Sequence, residues 1–410
     1  MADFIFYSVF WIAMVLKKQI DTVLGYRSPN CKYMNSDVLL GHFASVIAGG
    51  AALEDVNRMR TELEDVADVR IPSADTLARV LRDLTCSKTE VINQAGNINQ
   101  LVDNEMLNEL LCALSARLLK HEIEPTLDID AHLVVCDKPD ADYAYTKEKG
   151  YFPMVALVNR CPVYVQNRSG NTAPAFGQVE FAKKVLDQAK KQGVNIKNFR
   201  ADAASYNLEL MHYLGKTNIR FYIRAARPES LTKEIVSIAE KNWKKAIINK
   251  REIEVAEMDY KGYRLVVERS KTGDQLDVFS GTSYMYRAVI TNDFRVSMLP
   301  QDVIHFYNQR GDAERNFDML GNDFGWSLLP FNDIGTNTTY LIAAACCMAL
   351  FELLKYGLSK LCKQVWTTMR PKSFVLNFLA IPAKVIYRSR TRFIQFYTQL
   401  RFKDLEMLVT

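Results

Sequence analysis

The sequence predicts an α/β protein: a mixed sheet with helices against it, a helical region before it and a strand-rich insertion within it. Three observations predict this. Apolar residues recur at helical spacing through residues 1–120, β-type runs begin at Thr126, and helix and strand then alternate as far as Arg224. At 410 residues the chain also exceeds what one hydrophobic core usually supports.

Residues 1–120 read as helical, with periodic apolar positions in Val38–Ile47 and Leu101–Leu119 and few strand signals. Ile71-Pro-Ser-Ala-Asp-Thr-Leu-Ala-Arg79 starts a helix. Ser73 suits the N-cap, Asp75 suits the positive first turn, and Leu77, Val80, Leu81 and Leu84 form the apolar face. Thr76, Arg79 and Arg82 are left on or near the exposed side, as in a helix entering a major groove or in an ordinary capped surface helix.

Thr126–Cys136, Phe152–Val158 and Pro162–Gln166 read as strands, the last two joined by a tight turn at Asn159-Arg160-Cys161. A helix over Val179–Gln192, a strand over Val194–Ala201, a helix over Ser205–Leu214 and a strand over Ile219–Arg224 follow. The order β-β-β-α-β-α-β, with right-handed crossovers and parallel pairing in its second half, is that of the ribonuclease H-like fold. Residues 225–300 break the rhythm with a basic helical segment (Lys241, Lys244 and Lys245 around Trp243) and strand-like runs at Tyr263–Val267 and Tyr284–Ile290. They are expected to form an inserted subdomain, with Trp243 in its packing or stacked on a displaced base. Pro300 restarts a helix with Gln301 and Asp302 in its first turn, and residues 301–355 rejoin the unit of 121–224. Residues 356–410 form a basic C-terminal region.

The net charge of +5 and pI of about 8.6 permit nucleic-acid binding without requiring it, because clustering matters more than the total. The eight cysteines show no Cys-x-x-Cys pair and no His at finger spacing, which argues against structural zinc and for reduced thiols in a cytosolic protein. Two apolar runs, Phe4–Leu16 and Tyr340–Phe351, fall short of the roughly 20 residues that span a bilayer, so both read as buried helix. The first also lacks a signal peptide's positive flank and cleavage site.

Three acids are candidates for chemistry. Asp130 lies in the first strand, Asp202 at the end of the strand after the first crossover helix, and Glu314 on the helix after the insertion. In a sheet of this order the two strands are neighbours, so their carboxylates converge at one rim, and a covering helix brings the third. Such hard oxygen ligands suit two Mg²⁺ (or Mn²⁺) ions, which serve in-line phosphoryl transfer. Asp128 shares the strand face of Asp130, and either is a candidate for the first ligand. At about 100° per residue Tyr307, Arg310 and Glu314 fall on one side of a helix whose neighbouring stripe is Phe306, Ala313, Phe317 and Leu320. Arg310 either pairs with Glu314 one turn on or grips a phosphate through its planar fork. In the basic tail, Tyr387-Arg-Ser-Arg-Thr-Arg392-Phe alternates so that Arg388, Arg390 and Arg392 line one strand face, a phosphate-binding tract or a charged edge.

Together these residues resemble the DDE transposases of bacterial insertion sequences, in the branch with a Tyr-x2-Arg-x3-Glu-x6-Lys signature, and within it the insertion-sequence thirteen-eighty group. Leu127-Asp-Ile-Asp130-Ala resembles that group's first-aspartate strand, Gly150-Tyr-Phe-Pro153 its following hairpin and Arg168-Ser-Gly-Asn-Thr172 its loop before the crossover helix. Phe199-Arg-Ala-Asp202-Ala resembles the second-aspartate strand, Tyr307, Arg310 and Glu314 fill three places of the signature, and Gly321 stands where the lysine belongs.

The resemblance implies a cut-and-paste transposase, cytoplasmic and nucleoid-associated in a bacterium, with no membrane partner. A homodimer is expected to pair two transposon ends, nick a strand, form a hairpin and join the ends to target DNA. Asp130, Asp202 and Glu314 are then the catalytic metal ligands, Tyr307 and Arg310 hold DNA near the cut, and Ser73, Thr76 and Arg79 belong to an end-binding segment. The alternatives are a DNA-end-binding protein impaired in catalysis, for which Gly321 gives a motive, and a stand-alone ribonuclease H-like nuclease.

Overall fold

The computed structural model describes residues 15–63, 71–86, 88–92, 96, 98–226, 228–272, 283–360, 362–379, 383–388 and 391–396. Helix α1 (15–24) turns Leu16, Ile20 and Leu24 inward, and α2 (Asn35–Ile47), α3 (Asp55–Leu63) and α4 (Ala74–Asp83) follow. Helix α4 starts as expected: Ser73 accepts from the Thr76 amide at 3.4 Å, and Leu77, Val80 and Leu81 are buried. Two strands that the helical reading passed over come next, β1 (Thr89–Ile92) and β2 (Ile98–Val102), before α5 (Glu105–Leu119). They are too short for their periodicity to separate them from helix, and β2 is held by pairing with a strand distant in sequence, Leu101 opposite Arg168.

The sheet region runs β3 (Thr126–Ala131), β4 (Val134–Val135), β5 (Asp142–Tyr143), β6 (Lys149–Tyr151), β7 (Met154–Val158), β8 (Cys161–Arg168), α6 (Gln178–Lys191), β9 (Asn198–Ala201), α7 (Leu208–Lys216) and β10 (Arg220–Arg224). Then come α8 (Glu229–Val236), β11 (Lys244–Ile248), β12 (Arg251–Tyr260), β13 (Tyr263–Lys271), β14 (Tyr284–Thr291), α9 (Pro300–Asn308), α10 (Gly311–Asp323) and α11 (Ile334–Ser359). Among the described residues the main sheet has eleven strands in the order β1-β2-β8-β7-β3-β9-β10-β14-β13-β12-β11. The β3-β9-β10 pairs are parallel, as the crossovers α6 and α7 require, and the other neighbours are antiparallel. The β7-β8 turn has Asn159 and Arg160 at φ of 46° and 77°, the left-handed pair that matches the twist of a tight hairpin.

Two expectations about the insertion are corrected. Strands β11–β14 continue the main sheet through the β10-β14 pairing, because β14 offers its edge where the parallel strands end. Lys244 and Lys245 lie in strand β11, paired with Val255 and Glu254, and only a short 3₁₀ turn over Glu240–Asn242 precedes them. Trp243 packs, with the Arg269 guanidinium 4.2 Å from its ring and Tyr286 beside it.

Helices α6 and α7 cover one face of the sheet, over Leu127, Ile129, Phe199, Ala201, Phe221 and Ile223. On the other face Val303 and Ile304 of α9 meet Tyr222, Val266 and Val289, while α11 packs on β8 and α5. By length and composition α11 could cross a membrane, yet its residues Tyr340–Phe351 are entirely buried in protein. That run is the buried helix expected; the other, Phe4–Leu16, lies almost wholly outside the described residues. Helices α1–α4 share one hydrophobic cluster with α11 and with Val155, Leu157 and Val165 of the sheet, so the helical region has no separate core.

The basic tail is also corrected. Strands β15 (Ala383–Arg388) and β16 (Thr391–Phe396) pair antiparallel, with Arg388 opposite Thr391 and Arg392 opposite Tyr387, so no single strand carries the three arginines. Arg390 lies outside the described residues.

Candidate active site

Register brings the first two acids together. Parallel pairing sets Asp128 against Arg200 and Ile129 against Ala201, so Asp130 and Asp202 stand one position further at adjacent strand ends. Leu127, Ile129, Phe199 and Ala201 point into the α6/α7 core, and strand alternation therefore turns 128, 130, 200 and 202 toward α9. Asp202 leaves β9 and caps the 3₁₀ turn Ala203–Ser205, accepting from the Ala204 amide at 3.1 Å through one carboxylate oxygen. Asp130 accepts from the Ala131 amide at 2.9 Å.

Asp128 is taken by a different partner. Arg200 Nε donates to one of its oxygens at 2.8 Å and Nη2 to the other at 2.7 Å, with both side chains under 10% exposed. Arg200 Nη1 donates onward to the Phe306 carbonyl at 2.8 Å, and the guanidinium lies 4.9 Å from the Phe306 ring centroid. This ties the two aspartate strands to the last turn of α9, and of the two acids on β3 it leaves Asp130 at the rim.

The helix expected to carry Tyr307, Arg310 and Glu314 together is broken. α9 ends at Asn308, the Arg310 amide bonds back to the Tyr307 carbonyl at 2.9 Å in a tightened last turn, and α10 starts at Gly311. Glycine, the weakest helix former after proline, occupies the joint. Tyr307 and Arg310 therefore stay over the strand ends, half-buried, whereas Glu314 is exposed on α10. Among the described residues no group of three His, Cys, Asp or Glu side chains converges on a metal position. Phe317 and Leu320 are buried as expected.

Arg310 Nη2 lies 2.8 Å from Asp130 Oδ2, an ion pair off hydrogen-bonding alignment, and its buried Nε and Nη2 have no hydrogen-bond partner. Of the two alternatives for Arg310, the i,i+4 pair with Glu314 is replaced by this one. Burial lifts the Asp130 carboxyl above the ordinary carboxylate range, with Arg310 opposing and the like charge of Asp202 adding. Burial works against the Arg310 charge, but the facing Asp130 raises its pKa on balance. Burial likewise raises the Tyr307 hydroxyl, against the nearby charges of Arg310 and Arg224. Two adjacent carboxylates of which one is pushed toward its neutral form fit a hard divalent cation, whose charge would remove their mutual repulsion.

Elsewhere, the Ser73 and Thr76 hydroxyls sit 3.1 Å apart in the α4 cap, and Arg79 is exposed. Gly321 is half-buried on α10, where an added Cβ would stand 3.2 Å from Ser327 Oγ, so a lysine there would require Ser327 to shift. Sequence reading missed Arg200. Its signal was the matched spacing of Asp128 and Arg200, each two residues before a candidate acid on neighbouring strands. It also missed His132, next to the Asp130 strand and stacked on Phe317 with ring centroids 5.3 Å apart.

A family model described as Transposase DDE domain group 1 matches residues 13–409. Among solved structures, the chain is similar to a piggyBac transposase synaptic complex with hairpin DNA, at 12% identity and a TM-score of 0.45 over 87% of this chain and 74% of that one. It is also similar to the Drosophila P element transposase strand transfer complex, at 13% identity and a TM-score of 0.27 over 58% and 52%. No curated protein matches.

Proposed function

Because the chain belongs to the Transposase DDE domain family, we propose that it is a cut-and-paste transposase of an insertion sequence, of the Tyr-Arg-Glu-Lys branch and the thirteen-eighty group, acting on DNA in the bacterial cytoplasm. The observation that carries the reading is the pair Asp130 and Asp202 on adjacent parallel strands with Arg310 against it. In this reading the unit has a ribonuclease H-like sheet.

Asp130 and Asp202 hold divalent cations, Mg²⁺ or Mn²⁺, and Glu314 takes the third place by its order in the signature. When bound, such cations stabilise the entering and leaving oxygens of an in-line phosphoryl transfer. Arg310, paired with Asp130, holds its guanidinium at the carboxylates' rim, suited to the charge of a scissile phosphate, and Tyr307 donates to a phosphate oxygen. Arg200 holds the turn from which both project. Ser73, Thr76 and Arg79 serve end recognition, and Arg388, Arg390 and Arg392 serve backbone contact. The active form is a homodimer pairing two ends, with a hairpin intermediate before strand transfer.

The test is incubation of purified protein with a duplex carrying the inverted repeat that borders its gene, in Mg²⁺, beside Asp130→Ala and Asp202→Ala. Nicked, hairpin and joined products lost in both variants are expected. Binding without any metal-dependent nick would instead support the end-binding alternative, and cutting without joining a nuclease.

A further inference from the structure

The rim that holds Asp130 and Asp202 continues one strand further. Strand β10 lies parallel to β9 with Ile223 level with Ala201, so Arg224 ends β10 at the height where Asp202 ends β9. Tyr222 faces α9, its ring 4.6 Å from that of Phe306, and alternation puts Arg224, two residues on, on the same face. Arg224, Arg287, Glu268, Tyr307 and Asn308 line a small cleft there, of about 30 Å³. That volume takes a water rather than a base, so whatever binds must lie across its mouth.

The charges decide what that ligand is. Arg287 pairs loosely with Glu268, 3.5 Å away, and its own side chain is 46% exposed. Arg224 is half-buried and makes no ion pair among the described residues. The cleft thus carries two guanidiniums against one carboxylate with Tyr307 in its lining, and the backbone of Arg224 stands one strand spacing, about 4.8 Å, along from that of Asp202. Glu268 is shared by Arg224 and Arg287, so two planar guanidiniums face a single carboxylate, and the surplus charge suits a phosphodiester.

We propose that Arg224, with Arg287 behind it, forms a phosphate-binding subsite for the DNA strand next to the scissile position. The proposal rests on the transposase reading and deepens it. It also locates, at the end of a sheet strand, the positive charge that Gly321 does not supply from α10.

The experiment measures fluorescence anisotropy of the labelled inverted-repeat duplex, without divalent metal, across about 50 to 200 mM salt. Arg224→Gln is expected to weaken binding roughly tenfold and to lower the slope of log affinity against log salt by about 0.9, the share of one phosphate contact. Arg224→Lys, which keeps the charge and cannot strand a partner, is expected to keep the wild-type slope while binding more weakly. If Arg224→Gln fails to fold, the lysine variant still decides: wild-type affinity in it overturns the subsite. A wild-type slope in folded Arg224→Gln overturns the subsite alone, provided the wild-type protein nicks the duplex in Mg²⁺. A wild-type protein that neither binds nor nicks brings down the transposase reading and the subsite with it.

Discussion

Replacing Arg200 by methionine, of similar volume, removes a buried charge and takes from Asp128 its bidentate partner. Arg200 makes three charge-assisted bonds, at 2.8 and 2.7 Å to Asp128 and at 2.8 Å to the Phe306 carbonyl, with 9% of its side chain exposed and 8% of its partner's. Removing one member of a buried pair costs about 3 to 5 kcal/mol, mostly because the remaining ion loses its bonded counter-charge. Arg200→Met is therefore expected to lose that much in urea unfolding at pH 7. The double variant Asp128→Leu with Arg200→Met removes both charges and is expected to recover at least half of the loss, since apolar replacement of a buried pair is often near neutral. Stability and activity should then separate. The double variant still lacks the bond to Phe306, so the turn carrying Tyr307 and Arg310 loses its tether and nicking of the end duplex stays at least tenfold down. A cost below about 1 kcal/mol in the single variant would refute the account of the pair. Full nicking activity in the double variant would refute the tether.

Other outcomes follow from the same physics. His42 is buried on α2 beside the Tyr340 ring, with Nε2 unpartnered, and burial lowers its pKa to about 4. Its folded pKa is depressed below the unfolded value of about 6.5, so the neutral ring contributes stability that is whole above that pH and is lost as pH falls toward 4; His42→Phe should abolish about 3 kcal/mol of the stability lost between pH 7 and 4, read in thermal unfolding. An alanine at Gly170 would drive its Cβ into the Asp142 and Gly150 carbonyls, which are backbone and cannot swing away, so Gly170→Ala should destabilise by about 3 kcal/mol in chemical denaturation. Mg²⁺ should raise the melting temperature of the wild-type protein, by the equivalent of about 2.7 kcal/mol at a hundredfold excess over its dissociation constant, and leave the Asp130→Asn, Asp202→Asn double variant unmoved.

Much of the fold is legible in the sequence wherever the signal is short in range. The Ser73 cap, the Asn159-Arg160 turn and the α6 and α7 crossovers each depend on residues a few positions apart, and each appears where the local pattern placed it. Neighbouring β3 and β9 were also legible, because the chirality of crossovers leaves few places for the second strand. The misses have two causes. Strand β2 is held by β8, remote in sequence, and the edge of β14 joins the insertion to the main sheet, whereas β1 and β11 pair with the next strand along the chain and are too short for periodicity to separate them from helix. The α9/α10 joint broke a helical face that, by periodicity alone, ran on to Glu314.

For the site, the sequence by itself determined which residue types were available and that Asp130 and Asp202 belonged to adjacent strands. Tertiary structure decided how they are used. It gave Asp128 to Arg200, set Arg310 against Asp130 in place of Glu314, and put Arg224 level with Asp202. Strand periodicity specifies a face, but which charge meets which depends on register across the sheet and on where a helix stops. A shift of one residue in either would have exchanged every partner.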